Sequence, residues 1–337
     1  MNNMRVLALT FGERSQGSTL YRVHQYQASL EREGIVLEVV PAARFSAWSR
    51  LGDYDAVLVQ KRLFNLSRVR QLRARARRLV YDIDDALWEP HGRPHVFLTR
   101  WRTRLRLRAI VRAVDVCLTA NQVLAEYLRR WSPRVAVLPM ALDENSWPPR
   151  DEAAAGRTSP LRIGWAGAPV NLPYLEALEA ELLAVRQLVP AVEVAVFSGA
   201  APNFRELPVR HLPFVAGTES EAIRSFDIGL LPLPDNAFAA GKSPIKALQY
   251  LASGVPVVAS PVGATRELLC DGGTALFASP GAWTPAMLRL LREPALRQQL
   301  GRQARAEFER RYTLRQTTPQ LVAVLRNLSS PPTARSQ

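Results

Sequence analysis

Lys242 and Lys246, together with Asp82, Asp84 and Asp85, are the side chains of this 337-residue chain best suited to chemistry. The chain has Lys61, Lys242 and Lys246 as its only lysines in an otherwise arginine-based set of cations. Two of them therefore stand out within GKSPIKALQYLASGVPVVASPVG at 241–263. Ser243 followed by Pro244 reads as an N-cap with proline at the first helical position. The spacing predicts a helix from Pro244, apolar at Ile245, Leu248 and Leu251, that stops at Gly254. Its N-terminus would offer unpaired N–H groups and the positive end of the macrodipole to an anion such as phosphate. Lys242 lies just before it and Lys246 four residues on, a spacing at which both ammonium groups flank one anion. The alternative is an ordinary capped helix with two solvated lysines. Val255, Val257, Val258 and Ala259 then read as a strand covered on both faces.

The acidic cluster lies in VYDIDDALW, directly after a predicted strand. Three carboxylates so close repel one another unless cations or hydroxyl-rich ligands are near. Asp84 orienting a hydroxyl, Asp85 capping the next segment, and Asp82 with Asp84 holding a cation are all open. So is a turn whose acids pair with nearby arginines. His91 and His95 are alternative polar candidates, or plain surface residues. Near the amino end, FGERSQGSTLYR sets Gly17 and Ser18 before Thr19, where a helix could begin, with Arg22 one turn in. Read simply, Ser18 is an N-cap.

The elements that must position these residues alternate strand with helix. Strands are predicted at Val6 to Leu9, Val36 to Val40, Ala56 to Val59, Leu79 to Asp82, Val116 to Thr119 and Val135 to Leu138. The stretch Leu20 to Glu33 is predicted to be helical. Residues Asp143 to Pro160, rich in proline, read as a linker. The alternation restarts with strands at Arg162 to Ala166, Val192 to Phe197, Ile228 to Leu231, Val255 to Ala259 and Ala275 to Phe277. The expected fold is α/β, two doubly wound Rossmann-like domains, 1–150 and 151–328, facing across a cleft, with a disordered tail at 329–337. Helical, arginine-rich sequence runs from Pro285 to Leu328. Two further stretches, Arg68 to Arg78 and Arg100 to Arg112, concentrate charge. In the second, Leu107, Ile110, Val111 and Val114 should face the core, leaving Arg102, Arg104, Arg106, Arg108 and Arg112 outside.

A composition 47% hydrophobic and 22% charged is that of a soluble globular protein. No apolar run is long enough to span a bilayer, and MNNMRVLALTF reads as a first strand with no signal-peptide pattern, which predicts a cytosolic protein. Cys117 and Cys270 are expected as buried thiols. The formal charge of +14 predicts an acidic partner, such as a nucleotide, an anionic lipid or a nucleic acid. Specific nucleic-acid binding is not expected, because zinc spacing, a recognition-helix pattern and an aromatic platform are all missing.

ALQYLASGVPVVASPVG at 247–263, REL and GGTALF at 266–277, FDIGLLPL at 226–233, LRIGWAGAPVNLPYL at 161–175 and VLPMALD at 137–143 together carry a resemblance. In this order they resemble glycosyltransferases of the GT-B fold, in particular the large retaining family 4, or glycosyltransferase group 1. The resemblance implies sugar transfer from a nucleotide-sugar donor to a glycan or lipid-linked hydroxyl acceptor, with retention and without metal or cofactor. It implies a carboxyl-terminal domain that binds the donor and an amino-terminal domain that binds the acceptor. Gly241, Lys242, Ser243 and Lys246 would hold the donor phosphates. Two glutamates usual in the family fall at Gly241 and Gln249, and Gln249 would meet the ribose. Asp84 falls where a histidine often sits near the reacting sugar, and Asp85 follows it as an acid often does. Gly17, Ser18 and Arg22 would form the acceptor-side loop. The basic helix faces suit a peripheral association with an anionic membrane surface. A non-catalytic sugar-nucleotide-binding module and, less so, a sugar-nucleotide epimerase are the competing readings.

Overall fold

The computed structural model describes residues 3–89, 97–151 and 160–327. They form two compact units, one of Met1–Ala141, Gly241–Ser243 and Leu314–Gln337, the other of Leu142–Ala240 and Pro244–Thr313. His91, His95, residues 152–159 of the predicted linker and the tail at 329–337 lie outside the described residues.

In the first unit, six short apolar runs form β1 (Met4–Thr10), β2 (Ile35–Pro41), β3 (Ala56–Gln60), β4 (Leu79–Ile83), β5 (Val116–Thr119) and β6 (Val135–Val137). All pair in parallel, in the order β2-β1-β3-β4-β5-β6, with Val6 in register with Leu37 on one side and Ala56 on the other. Side chains alternate between the two faces, so Leu7, Leu9, Val57, Val59 and Tyr81 enter one core while Val6, Ala8, Leu58 and Val80 enter another. Burial on both faces is why β1, β3, β4 and β5 read as nearly continuous hydrophobic sequence, whereas the edge strands β2 and β6 are partly exposed.

The first core receives Leu107, Ile110 and Val111 of the helix Phe97–Ala113, as their spacing predicted. The second receives Leu314, Leu321, Val322 and Leu325 of the helix Leu314–Asn327. Expected to close the second domain, this last helix instead folds with the first unit. The Tyr26 hydroxyl donates to Thr317 Oγ1 at 3.0 Å and Arg326 donates to the Glu33 carbonyl at 2.7 Å. The single helix expected over Leu20 to Glu33 is broken into Gly17–Arg22, a 3₁₀ turn at His24–Tyr26 and Gln27–Arg32. Val23 leaves the helical region, with φ −130° and ψ −64°, and buries its side chain in the second core.

The second unit repeats the plan with β7 (Arg162–Ala166), β8 (Glu193–Ser198), β9 (Arg210–Pro213), β10 (Ile228–Leu231), β11 (Val257–Ala259) and β12 (Ala275–Phe277). They are parallel in the order β12-β11-β10-β7-β8-β9. Sequence reasoning misses β9 because it is a partly exposed edge strand with no apolar run. Its neighbours pack into one core containing Ile163, Trp165, Val194, Val196, Ile228, Leu230 and Val258.

The helix Ile245–Ser253 ends where the glycine predicts, with Gly254 left-handed at φ 67° and ψ 29°. A β-carbon on Gly301 of the helix Pro294–Arg311 would lie 2.5 Å from the Gly254 carbonyl oxygen, so these two glycines let the helices approach closely. Gly254→Ala is expected to destabilise the protein by about 1–2 kcal/mol, the cost of forcing an L side chain into this backbone region. Urea titration measures it, and an unchanged midpoint would show that the turn is not constrained by its handedness.

Among the described residues no helix is long and apolar enough to cross a membrane. Cys117 is buried, and burial pushes its thiol up to about 12. Cys270, also expected to be buried, is exposed. It sits in the tight turn that precedes β12, where its N–H donates to Thr274 Oγ1 at 2.9 Å.

Candidate active site

Each sheet reverses its strand order once, between β1 and β3 in the first unit and between β7 and β10 in the second. The carboxyl ends of strands at such a reversal form a crevice in which open α/β sheets bind ligands.

In the first unit, Ser18, Gln60, Lys61, Asp84 and Asp85 converge there. Gln60 ends β3; its Oε1 accepts from Phe11 N–H at 2.9 Å and its Nε2 donates to Ser18 Oγ at 2.8 Å. Ser18 Oγ in turn donates to Asp84 Oδ2 at 2.6 Å. Ser18 is therefore inside the helix Gly17–Arg22 rather than its cap, which falls on Gln16 with no side-chain bond. The Lys61 ammonium pairs with Asp85 and lies 3.3 Å from Asp84 Oδ1. Asp84 Oδ1 is buried and accepts no hydrogen bond among the described residues.

Lys61 has φ 59°, the one non-glycine residue with positive φ among the described residues. Such a conformation costs free energy and persists where surrounding contacts enforce it. Burial pulls its ammonium down, but Asp84 and Asp85 outweigh that and hold it above the ordinary lysine value. Burial likewise raises the Asp85 carboxyl, reinforced by Asp84 and opposed by Lys61 and Lys242. Sequence reasoning passed over Lys61 as a site residue, although its signal was present: a lysine placed just after a predicted strand in an arginine-based chain.

Two expectations change here. Arg22 is not a ligand-facing residue. Its side chain is wholly buried, pairs with Asp82 through Nε at 3.2 and 3.1 Å, and donates to the Leu138 carbonyl at 2.6 Å. With its carboxylate committed to Arg22, Asp82 does not share a cation with Asp84. Among the described residues no group of three or more His, Cys, Asp or Glu is arranged to hold a metal.

The stretch Gly241–Ser243 clusters with this unit. Gly241 closes the short helix Ala237–Gly241, and its carbonyl accepts from Asn121 Nδ2 at 3.3 Å. A β-carbon there would lie 2.8 Å from Ala86 Cβ, so the close approach of these two segments favours a glycine at 241. Ser243 Oγ donates to the Asp84 carbonyl at 2.7 Å, so it does not cap the next helix. That helix starts at Ile245, with Pro244 as its N-cap at ψ 63°. Lys242 therefore lies three residues before the helix, which carries Lys246 in its first turn. Burial lowers the Lys242 ammonium, against the pull of Asp85.

In the second unit, Lys246 lies in the first turn of the helix Ile245–Ser253. Its ammonium donates to Gln249 Oε1 at 2.8 Å. Burial lowers it to about 8, with Glu219 opposing, so it is not the solvated surface lysine of the simpler reading. Gln249 is itself buried, 1% exposed. The helix is fixed to the switch point by Tyr250, whose hydroxyl accepts from Ala166 N–H at 3.1 Å and donates to the Leu230 carbonyl at 3.2 Å. Gly229 makes room for that ring, since a β-carbon there would lie 2.8 Å from it.

Residues 179–323 match the family model described as glycosyl transferase-like. No curated protein matches the sequence. The structure resembles sucrose-phosphate synthase from Thermosynechococcus elongatus at 15% identity and TM-score 0.77, over 97% of this chain and 99% of that one. HepE of Anabaena, solved in complex with UDP-glucose, is 14% identical with TM-score 0.70, over 96% of this chain and 100% of that one. A UDP-forming trehalose-phosphate synthase from Burkholderia xenovorans is 14% identical with TM-score 0.64, over 98% of this chain and 100% of that one. The strand orders and these likenesses agree with the expected α/β architecture of paired doubly wound units. The chain has the GT-B fold, and over residues 179–323 it carries the sequence pattern of the glycosyl transferase-like family.

Proposed function

We propose that this protein is a glycosyltransferase that moves a hexose from a nucleotide-sugar donor to a hydroxyl of a glycan or lipid-linked acceptor, with retention, without a metal, and against an anionic membrane surface. One contrast carries the reading: the switch point of the second unit offers a cationic helix end, whereas that of the first offers a buried carboxylate with a spare acceptor lone pair. An anionic leaving group suits the former, because Lys246, the unpaired N–H groups and the helix dipole together stabilise developing diphosphate charge. This is the charge a metal would otherwise supply. A sugar hydroxyl suits the latter, because Asp84 Oδ1 can accept its hydrogen bond in a site held rigid by Ser18 and Lys61. Asp84 then positions and polarises the acceptor while the donor phosphate takes its proton. Gln249 lies one turn along the helix from Lys246 and can offer its amide to the ribose.

Since HepE was solved with UDP-glucose, uridine diphosphate is the first ligand to test, by thermal shift and by donor hydrolysis without acceptor. Binding to the folded state alone raises the melting temperature. The pH dependence supplies an independent check. Lys246 must be protonated to hold the diphosphate, and its ammonium titrates at about 8. Affinity should be full below that pH and fall as pH rises through it, by at most roughly tenfold per unit. Lys246→Arg, which stays charged, should flatten the profile. A wild-type profile already flat through this range would remove Lys246 from the donor site.

A further inference from the structure

The helix Phe97–Ala113 has an outward face that nothing among the described residues covers. Phe97 is 78% exposed, Leu98 65%, Trp101 56% and Leu105 37%. Leu98, Trp101 and Leu105 follow i, i+3, i+7 and form one stripe. No other helix or strand among the described residues carries more than one exposed large hydrophobic side chain. Leu66, at the start of the helix Leu66–Arg75, extends the stripe, and with Arg102 and Arg106 it borders a groove of about 500 Å³.

The flanks of the stripe are cationic. Arg100 and Arg104 pair with Glu89, but Arg102, Arg106, Arg108 and Arg112 have no carboxylate partner among the described residues. Exposed aromatic and leucine side chains flanked by guanidinium groups without carboxylate partners are the arrangement of an interfacial helix, whose apolar side enters the acyl boundary while arginines meet lipid phosphates. A second copy of the chain does not fit, because a chain of formal charge +14 would present the same arginines to itself.

We infer that the stripe Phe97, Leu98, Trp101 and Leu105, with Arg102, Arg106 and Arg108, is the surface by which the first unit docks on an anionic phospholipid bilayer. This rests on the reading of the first unit as the acceptor side, since docking would hold that unit at the membrane where a lipid-linked hydroxyl is presented.

The test is sedimentation of the full chain with vesicles of phosphatidylcholine alone or mixed with phosphatidylglycerol. Two variants accompany it: Phe97→Ser/Leu98→Ser/Trp101→Ser and Arg102→Gln/Arg106→Gln/Arg108→Gln. All changed positions are exposed or half-buried, and circular dichroism melting checks that both variants fold. Wild type should bind only the anionic vesicles, and each variant should bind them about tenfold or more weakly. No wild-type binding overturns the proposal, as does equal binding to both vesicle types. Undiminished binding by the serine variant means surface charge alone and also overturns it. The uridine diphosphate thermal shift, measured on the same samples without vesicles, reports on the donor reading separately. Its loss with vesicle binding intact would sink that reading and leave this one standing.

Discussion

Lys61→Met is expected to lower folding stability by about 3–5 kcal/mol, the usual cost of removing one partner of a buried ion pair and leaving the other charge behind. The Lys61 side chain is 12% exposed, and it is the cation set between Asp84 and Asp85, whose side chains are 6% and 25% exposed. Without it the two carboxylates face each other with less compensation, and the Asp85 carboxyl, already raised by burial, should rise further. A carboxyl raised in the folded state binds its proton more tightly there than in the unfolded chain, so its penalty is present at neutral pH and fades as pH falls. The stability deficit of the variant should therefore shrink on the acid side of neutrality. Lys61→Gly separates charge from backbone: it relieves the left-handed strain, worth about 1–2 kcal/mol, but loses the same ion pair. Urea denaturation of both variants across a pH series makes the measurement. A glycine variant as stable as wild type would mean that the ammonium is not what holds the acidic pair.

Lys246→Ala should weaken uridine diphosphate by about 10- to 100-fold, the range for one charge-assisted contact worth roughly 1.5–3 kcal/mol. The side chain is partly buried and its ammonium is lowered to about 8, so burial works against its charge and a bound anion would favour it. Calorimetric titration at a pH below that value gives the full effect. The folded state should not suffer, because alanine removes a desolvated cation and leaves only Gln249 without this donor. Unchanged affinity in a folded variant would place the diphosphate elsewhere. Lys242→Ala is the companion control. Lys242 lies in the first unit, within the field of Asp85 and Lys61, so its loss should be felt first by the acidic cluster.

Local sequence determined the parallel strands of both sheets other than β9, because their apolar, β-branched runs stand out along the chain, most of all in the central strands that are buried on both faces. It also determined the stop at Gly254, where only a residue without a β-carbon enters the left-handed region freely, and the inward face of the helix Phe97–Ala113, where spacing alone separates core from surface. The tertiary structure decided what depends on groups distant in the chain. Ser243 leaves its cap role for the Asp84 carbonyl, Arg22 turns from a ligand-facing candidate into the buried partner of Asp82, and Leu314–Asn327 joins the first unit through Tyr26 and Glu33. Lys61 becomes the cation of the acidic cluster in the same way, across 24 residues of sequence to Asp85. Hydrophobic periodicity is a local property and can be read along the chain, whereas the partner of a buried polar group is chosen only once the strands align, when an unpaired charge becomes too costly to leave.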